Sequence, residues 1–296
     1  MLFLSLMSIE VTDLNCYPIK SCANTSLETA AFTARGIAFD REWMVADMAG
    51  TFMSQRKNPE LSLVVPELTL GRLSIIAPGM EELSIDLADI DHEKVAATVH
   101  GNEAPAITQG DEANEWFSEY LKRPVQLVRA DPVGKRQVKE VYRTATSSNE
   151  VAFADGASIL LTTMPSLAAL NERLEQPVPM NRFRPNIVVG GDDLSAFDED
   201  YWRQLKIGDL SGAIGWGCTR CMITETDQAT GEQGKTVLKA LQGFRRGVDA
   251  VNPSNKGVFF GQNFLHVFES GVTVSVGDTV NIVEQAAERN ILGLAD

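Results

Sequence analysis

Cysteine and histidine are scarce in this chain, and positive charge is in deficit. Four cysteines in 296 residues are too few for a disulfide framework, which makes the cytoplasm the expected compartment. The three histidines, His92, His100 and His266, are scattered without metal-ligand spacing, which argues against a histidine-built zinc or iron site. Lys and Arg number 26 against 40 Asp and Glu, a net charge of −14. Nucleic acid polymers and anionic membranes are poor partners for such a chain. No long apolar run is present. The apolar start Met1–Met7 has no basic flank and is too short for a signal peptide or a bilayer span, so no membrane is expected. No P-loop or Gly-x-Gly-x-x-Gly follows a strand, so the common nucleotide folds are not indicated.

The rest is a globular composition, 44% hydrophobic and 22% charged, enough for one large or two ordinary domains. Alternation and turn residues predict strands at Ile9–Lys20, Leu27–Phe32, Trp43–Asp47, Leu61–Thr69, Arg72–Ala77 and Leu83–Asp86. Such regular short strands point to a barrel or sandwich. A helix is expected over Glu112–Leu121 with Asp111 as its cap, followed by a strand at Val125–Arg129. The polar stretch Pro132–Glu150 is the candidate mobile connection. Further helices are expected at Pro165–Glu175, with Thr163 or Ser166 near the cap, and at Val237–Phe244. Strands are expected at Asn186–Val189, Met222–Asp227, Val258–Phe264 and Gly271–Val283. The fold class is β-rich α+β with a few peripheral helices. The chain divides into residues 1–128 and 129–296.

The densest chemistry lies in Gly215-Trp216-Gly217-Cys218-Thr219-Arg220-Cys221. Two thiols flank an arginine, and a guanidinium beside a sulfur favours its thiolate. The glycines would let a ligand or another backbone approach closely. The pair can also be two small buried hydrophobes. A four-cysteine zinc site would need Cys16 and Cys22, which are distant in sequence, and a thioredoxin-like pair should open a helix. One thiolate acting as a soft ligand to a redox metal remains open. Lys20, Arg41, Arg184 and Arg220 all stand at predicted strand ends. Individually such cations are more often surface residues, but four of them in so acidic a chain suggest a shared anion, a phosphate. Asp155 alone reads as a turn aspartate.

Five segments in order carry a resemblance: Tyr17-Pro18-Ile19-Lys20-Ser21-Cys22, Arg35-Gly36 with Asp40-Arg41-Glu42-Trp43, Phe183-Arg184-Pro185-Asn186-Ile187-Val188, Cys218-Thr219-Arg220-Cys221 and Phe260-Gly261-Gln262-Asn263. Together they resemble the MOSC family of molybdenum-cofactor proteins, in its YcbX and mitochondrial amidoxime-reducing branch. The resemblance runs from about Ile9 to Val283. It implies an N-terminal MOSC β-barrel-like domain packed on a C-terminal MOSC β-barrel, with a molybdopterin cofactor between them. It also implies Cys221 as the metal-ligating cysteine and Asp155 as an acidic residue near the metal, for proton delivery or substrate orientation. Lys20, Ser21, Arg41, Arg184, Asn186, Thr219 and Arg220 match the cofactor shell.

The implied activity is two-electron reduction of N-hydroxylated compounds, such as amidoximes or N-hydroxylated bases, by oxygen transfer to Mo(IV). It needs no pyridoxal phosphate. Many bacterial relatives continue into a plant-type ferredoxin module, and this chain has no cysteine after Cys221. No iron–sulfur cluster is therefore expected in it. Electrons are expected from a separate ferredoxin-type or flavin-linked donor. A cofactor carrier or sulfur-transfer module without reductase activity is the alternative, and a non-catalytic β scaffold with a structural thiol pair is the third reading.

Overall fold

The computed structural model describes residues 9–294. The apolar start Met1–Met7 lies outside the described residues. Strands dominate, and the helices among the described residues are three: α1 (Asp111–Leu121), α2 (Met164–Asn171) and α3 (Val237–Gln242). The expected β-rich class with few helices is what forms.

The largest sheet has ten strands. Eight of them run in the order 280–285, 202–207, 210–219, 256–266, 159–163, 187–190, 10–16, 25–27, while 246–249 and 291–292 extend it beside 256–266. Strands 159–163 and 187–190 pair in parallel, which requires a crossover, and α2 supplies its helix. The first strand, Glu10–Cys16, is hydrogen-bonded to Ile187–Gly190, so the start of the chain is built into the sheet of its second half. Strand Thr273–Ser275 returns the exchange by pairing with Thr29–Thr33.

The other main body is a five-stranded sheet in the order 94–95, 106–108, 125–130, 43–47, 19–20, beside a three-stranded meander 65–69, 72–76, 83–86. Trp43, Val45 and Leu127 are fully buried and pack against Phe117 and Leu121 of α1. Four successive buried residues, Trp43 to Ala46, explain why this strand lacks alternation: it is covered on both faces.

Several local expectations change. Leu27–Phe32 is two strands, broken at Glu28. Residues Pro59–Leu63 form a 3₁₀ turn and the strand begins only at Val65, because Pro59 sets the first-turn φ and offers no ladder donor. The N-cap of α1 is Gly110, at φ 86°, and Asp111 lies in the first turn. There it still complements the helix dipole. Thr163 caps α2 by accepting from the Ser166 amide.

Met222–Glu225 is a 3₁₀ turn and not a strand. The Cys221 carbonyl accepts from both the amide (3.1 Å) and the hydroxyl (3.0 Å) of Thr224, which tightens the chain. The stretch 132–150 is folded back on itself and tied to the sheet of the second half, unlike a free connection. Val138 N–H donates to the Asn149 carbonyl, the Ser147 hydroxyl donates to the Leu265 carbonyl, and the buried Tyr142 stacks on Trp216 at 3.9 Å.

Candidate functional site

The two sheet systems meet around a cavity of about 730 Å³. All nine residues singled out from the sequence line it: Lys20, Ser21, Arg41, Asp155, Arg184, Asn186, Thr219, Arg220 and Cys221. They arrive from strand ends and the turns after them, where backbone leaves a ladder and side chains become free to converge. Eight non-glycine residues among those described have φ in the left-handed region, and four of them, Ser21, Arg41, His100 and Arg184, line this cavity. Each such residue costs on the order of 1–3 kcal/mol, and strain of this kind collects at functional sites.

Tyr17 is the hub of one wall. Its ring packs against the guanidinium groups of both Arg41 (4.4 Å) and Arg184 (4.3 Å), and burial pushes its phenol up to about 12. The Asp40 carboxylate accepts from the Tyr17 amide (2.9 Å), the Asn186 side chain (2.9 Å) and Arg41 (2.5 Å). Asn186 accepts from Arg41 (2.7 Å) and the Leu160 amide (3.1 Å), and donates to the Asn15 carbonyl (3.1 Å) as well as to Asp40. Its amide is saturated within the protein, so Asn186 acts by holding Arg41. Burial, with Arg41 close by, lowers Arg184 to about 10. An arginine held that low marks a place short of negative charge.

On a second wall the Lys20 ammonium donates to the Phe153 carbonyl at 2.8 Å and pairs with the Asp155 carboxylate. Burial lowers the Lys20 pKa, and Asp155 opposes that. Burial would raise Asp155, but Lys20 and His100 outweigh it and hold the carboxyl below the ordinary range. The Asp155 side chain keeps 49% of its surface exposed, toward the cavity it lines. A firmly ionised carboxylate is suited to orienting a donor and not to giving up a proton.

The thiols are divided between two arginines. Arg220 places Nη1 2.9 Å from Cys218 Sγ, whereas Cys221 Sγ accepts from Arg56 Nε at 3.3 Å. The guanidinium expected beside Cys221 is therefore Arg56, from the other half of the chain. Gly215 and Gly217 serve packing: a Cβ on Gly217 would lie 2.8 Å from Ile291 and 2.9 Å from Phe259, so these glycines admit core side chains and not a ligand. Arg56, His100, Tyr17 and Asp40 were missed by sequence reasoning. Tyr17 and Asp40 lie inside the quoted segments, while Arg56 and His100 carry no spacing signal.

Nine Lys and Arg side chains line the cavity against two carboxylates, Glu103 and Asp155, in a protein of net charge −14. Buried Nε of Arg220 has no hydrogen-bond partner among the described residues. Among the described residues no three His, Cys, Asp or Glu side chains gather into a metal site, and no helix is long and apolar enough to cross a membrane. The donor set thus fits an anion of substantial size that brings most of a metal's ligands with it and takes one soft thiolate from the protein.

Comparison with known proteins agrees with this chemistry. The MOSC N-terminal beta barrel domain matches residues 8–124, and the MOSC domain matches residues 148–281. Mitochondrial amidoxime-reducing component 1 of Mus musculus is 32% identical over 93% of this chain and 82% of its own length. Mitochondrial amidoxime reducing component 2 of Bos taurus is 33% identical over 91% and 82%. Molybdenum cofactor sulfurase of Oryza sativa subsp. japonica is 31% identical over 80% of this chain but only 31% of its own length. The chain belongs to the MOSC-domain family, in the company of the mitochondrial amidoxime-reducing components.

Proposed function

We propose that this protein is a molybdenum-cofactor-dependent oxidoreductase that removes oxygen from N-hydroxylated compounds such as amidoximes. The observation that carries the proposal is the cavity wall, cationic in an acidic protein, with a thiol at its edge. The names of its relatives supply the reaction class. When bound, the molybdopterin cofactor would supply two-electron chemistry that no side chain here can perform.

Arg41, Arg184, Arg220 and Lys20 would hold the cofactor phosphate through charge-assisted hydrogen bonds, with the Ser21 and Thr219 hydroxyls beside them. Cys221 would be the thiolate ligand, and Arg56 at 3.3 Å would balance its charge. Asp155, fixed as an anion by Lys20, would orient substrate. Electrons would come from a separate ferredoxin-type or flavin-linked donor.

The test is direct. Cofactor-loaded protein is expected to reduce benzamidoxime with a chemically reduced dye as donor and not with NADH alone. Protein that carries molybdenum and pterin stoichiometrically yet never turns over would instead support a carrier or sulfur-transfer role. The likeness to molybdenum cofactor sulfurase over 80% of the chain favours that second reading.

A further inference from the structure

Reduction of an amidoxime consumes protons. R–C(NH₂)=N–OH takes up two electrons and two protons, the N–O bond breaks, and an amidine and one water leave. The electrons come from the one-electron carrier or reduced dye named above. One proton ends on the nitrogen and one on the departing oxygen. Asp155 cannot supply either while Lys20 holds it ionised.

The cavity wall offers another group. His100 lines the cavity, and its Nε2 lies 3.1 Å from the Asp155 carboxylate. Its side chain is 38% exposed, so it can exchange protons with solvent. The other two histidines do not line this cavity. His266 is buried with Nε2 on the Thr33 carbonyl, and His92 pairs with Asp89. Of the two tyrosines at the wall, Tyr142 donates its phenol to Asp249 at 2.6 Å and Tyr17 donates its phenol to the Pro185 carbonyl at 3.2 Å.

The backbone at His100 adds a separate argument. Thr98–Val99 and Asn102–Glu103 pair as a hairpin whose two-residue loop is His100-Gly101. Both loop residues have positive φ, 51° and 76°, the requirement of a type I′ turn. Asn, Asp or Gly suit its first position best, and His is among the few other residues that take left-handed backbone readily. The ring is seated edge-on against Phe52 at 4.8 Å, and the Lys20 ammonium sits over that same Phe52 ring at 5.1 Å. The turn and the Phe52 contact together hold the imidazole with Nε2 on the Asp155 carboxylate at the cavity wall.

We propose that His100, oriented by Asp155, is the proton donor to the nitrogen of the N-hydroxylated substrate. This rests on the reductase reading above. The charges facing His100 are Asp155 directly, Lys20 behind Asp155, Glu103 on its own hairpin, and Arg56 and Arg136 acting through Asp155. The proton taken from the imidazole is replaced from solvent at its exposed edge.

The variant that tests this is His100→Asn, because asparagine is favoured at that turn position and the fold should be preserved. Cofactor-loaded H100N should keep wild-type molybdenum and pterin content while kcat for benzamidoxime falls about 10²-fold or more, the range for loss of a general acid. An independent readout needs no turnover. Carbethoxylation by diethylpyrocarbonate, followed by mass spectrometry, should modify His100, and the product benzamidine should protect it while His92 stays reactive.

An active wild type whose H100N variant keeps kcat within about threefold, or a His100 that benzamidine leaves unprotected, would overturn the assignment. Loaded wild-type protein without any benzamidoxime reduction would overturn the reductase reading, and the proton-donor role with it.

Discussion

Arg56 and Arg220 decide what each thiol can do. The order of residues puts Arg220 next to Cys221, but side chains at adjacent positions of an extended chain point apart, and Arg220 reaches Cys218 instead. Cys221 faces the cavity with Arg56 on it. Cys221→Ser is therefore expected to abolish dye-linked turnover in a folded protein, and Cys218→Ser to retain most of it. Circular dichroism and turnover measured on both variants check this, and the opposite pattern would move the metal ligand to Cys218. The cations should act on retention of the cofactor. Loss of one charge-assisted phosphate contact costs roughly 1.5–3 kcal/mol, or about ten- to hundredfold in affinity. Arg184→Ala and Arg41→Ala should purify with less pterin per folded chain, and full occupancy in both would contradict the assignment.

The residues that sequence could supply were those set in unusual neighbours. Tyr-Pro-Ile-Lys-Ser, Phe-Arg-Pro-Asn and Cys-Thr-Arg-Cys each place a polar group where a strand runs out, and the cavity brings them together. Arg56 and His100 stayed hidden for a physical reason. Ser54-Gln55-Arg56-Lys57 is what a solvated turn looks like, and a type I′ loop shows itself by Asn-Gly, not His-Gly. What placed both was tertiary contact across the two halves of the chain.

At the scale of elements, the strands with aromatic and β-branched runs were legible almost to the residue, as at Trp43–Asp47 and Leu83–Asp86. The 3₁₀ turns were not, because their apolar residues match a short strand equally well over four positions. One element holds a group that no local pattern reveals. The cap of α2 leads to Glu199, fully buried, which accepts from the Thr163 hydroxyl (3.0 Å) and the Ser166 hydroxyl (2.7 Å). Its neighbour Asp200 takes the buried Arg245 guanidinium in two bonds of 2.7 and 3.0 Å. Burial, and then the charge of Asp200, push Glu199 up to about 7.

Between the ordinary glutamate range and about pH 7 the native protein keeps a proton that the unfolded chain has lost, so stability falls as pH rises through that window. Buried His266, lowered by desolvation, works in the opposite direction, which makes the comparison with a variant necessary. Glu199→Gln should flatten the decline, so that the variant gains on wild type between pH 5 and pH 8 in urea midpoints. An unchanged difference between the two proteins at both pH values would place the titration elsewhere.

For the whole molecule, net charge and local charge point in opposite directions. A charge of −14 taken alone favours an electron donor with a basic face. The cavity wall is the reverse, and its outer edge carries exposed Lys135, Lys139 and Arg143 on the pinned segment 132–150. Lys135 is shared with Glu150 at 3.5 Å, and Arg143 uses Nε on the Val138 carbonyl; among the described residues no carboxylate lies within ion-pair distance of Lys139 or Arg143. In the reductase proposed above, a donor would bring its redox centre near the cavity and so meet this rim and not the average surface. The field close to a docking patch governs encounter more than net charge does, because about 8–10 Å of screening separates the two at physiological salt. A carrier protein with an acidic face is therefore expected to be the faster donor. Reversing two rim charges in Lys139→Glu/Arg143→Glu should slow it by roughly tenfold at low salt, with little change for a small neutral dye. Stopped-flow rates against ionic strength measure this: the wild-type rate with the acidic carrier should fall as salt rises, and the double variant should lose that slope. If the double variant instead gains speed with the acidic carrier, the overall negative charge controls docking and the rim does not.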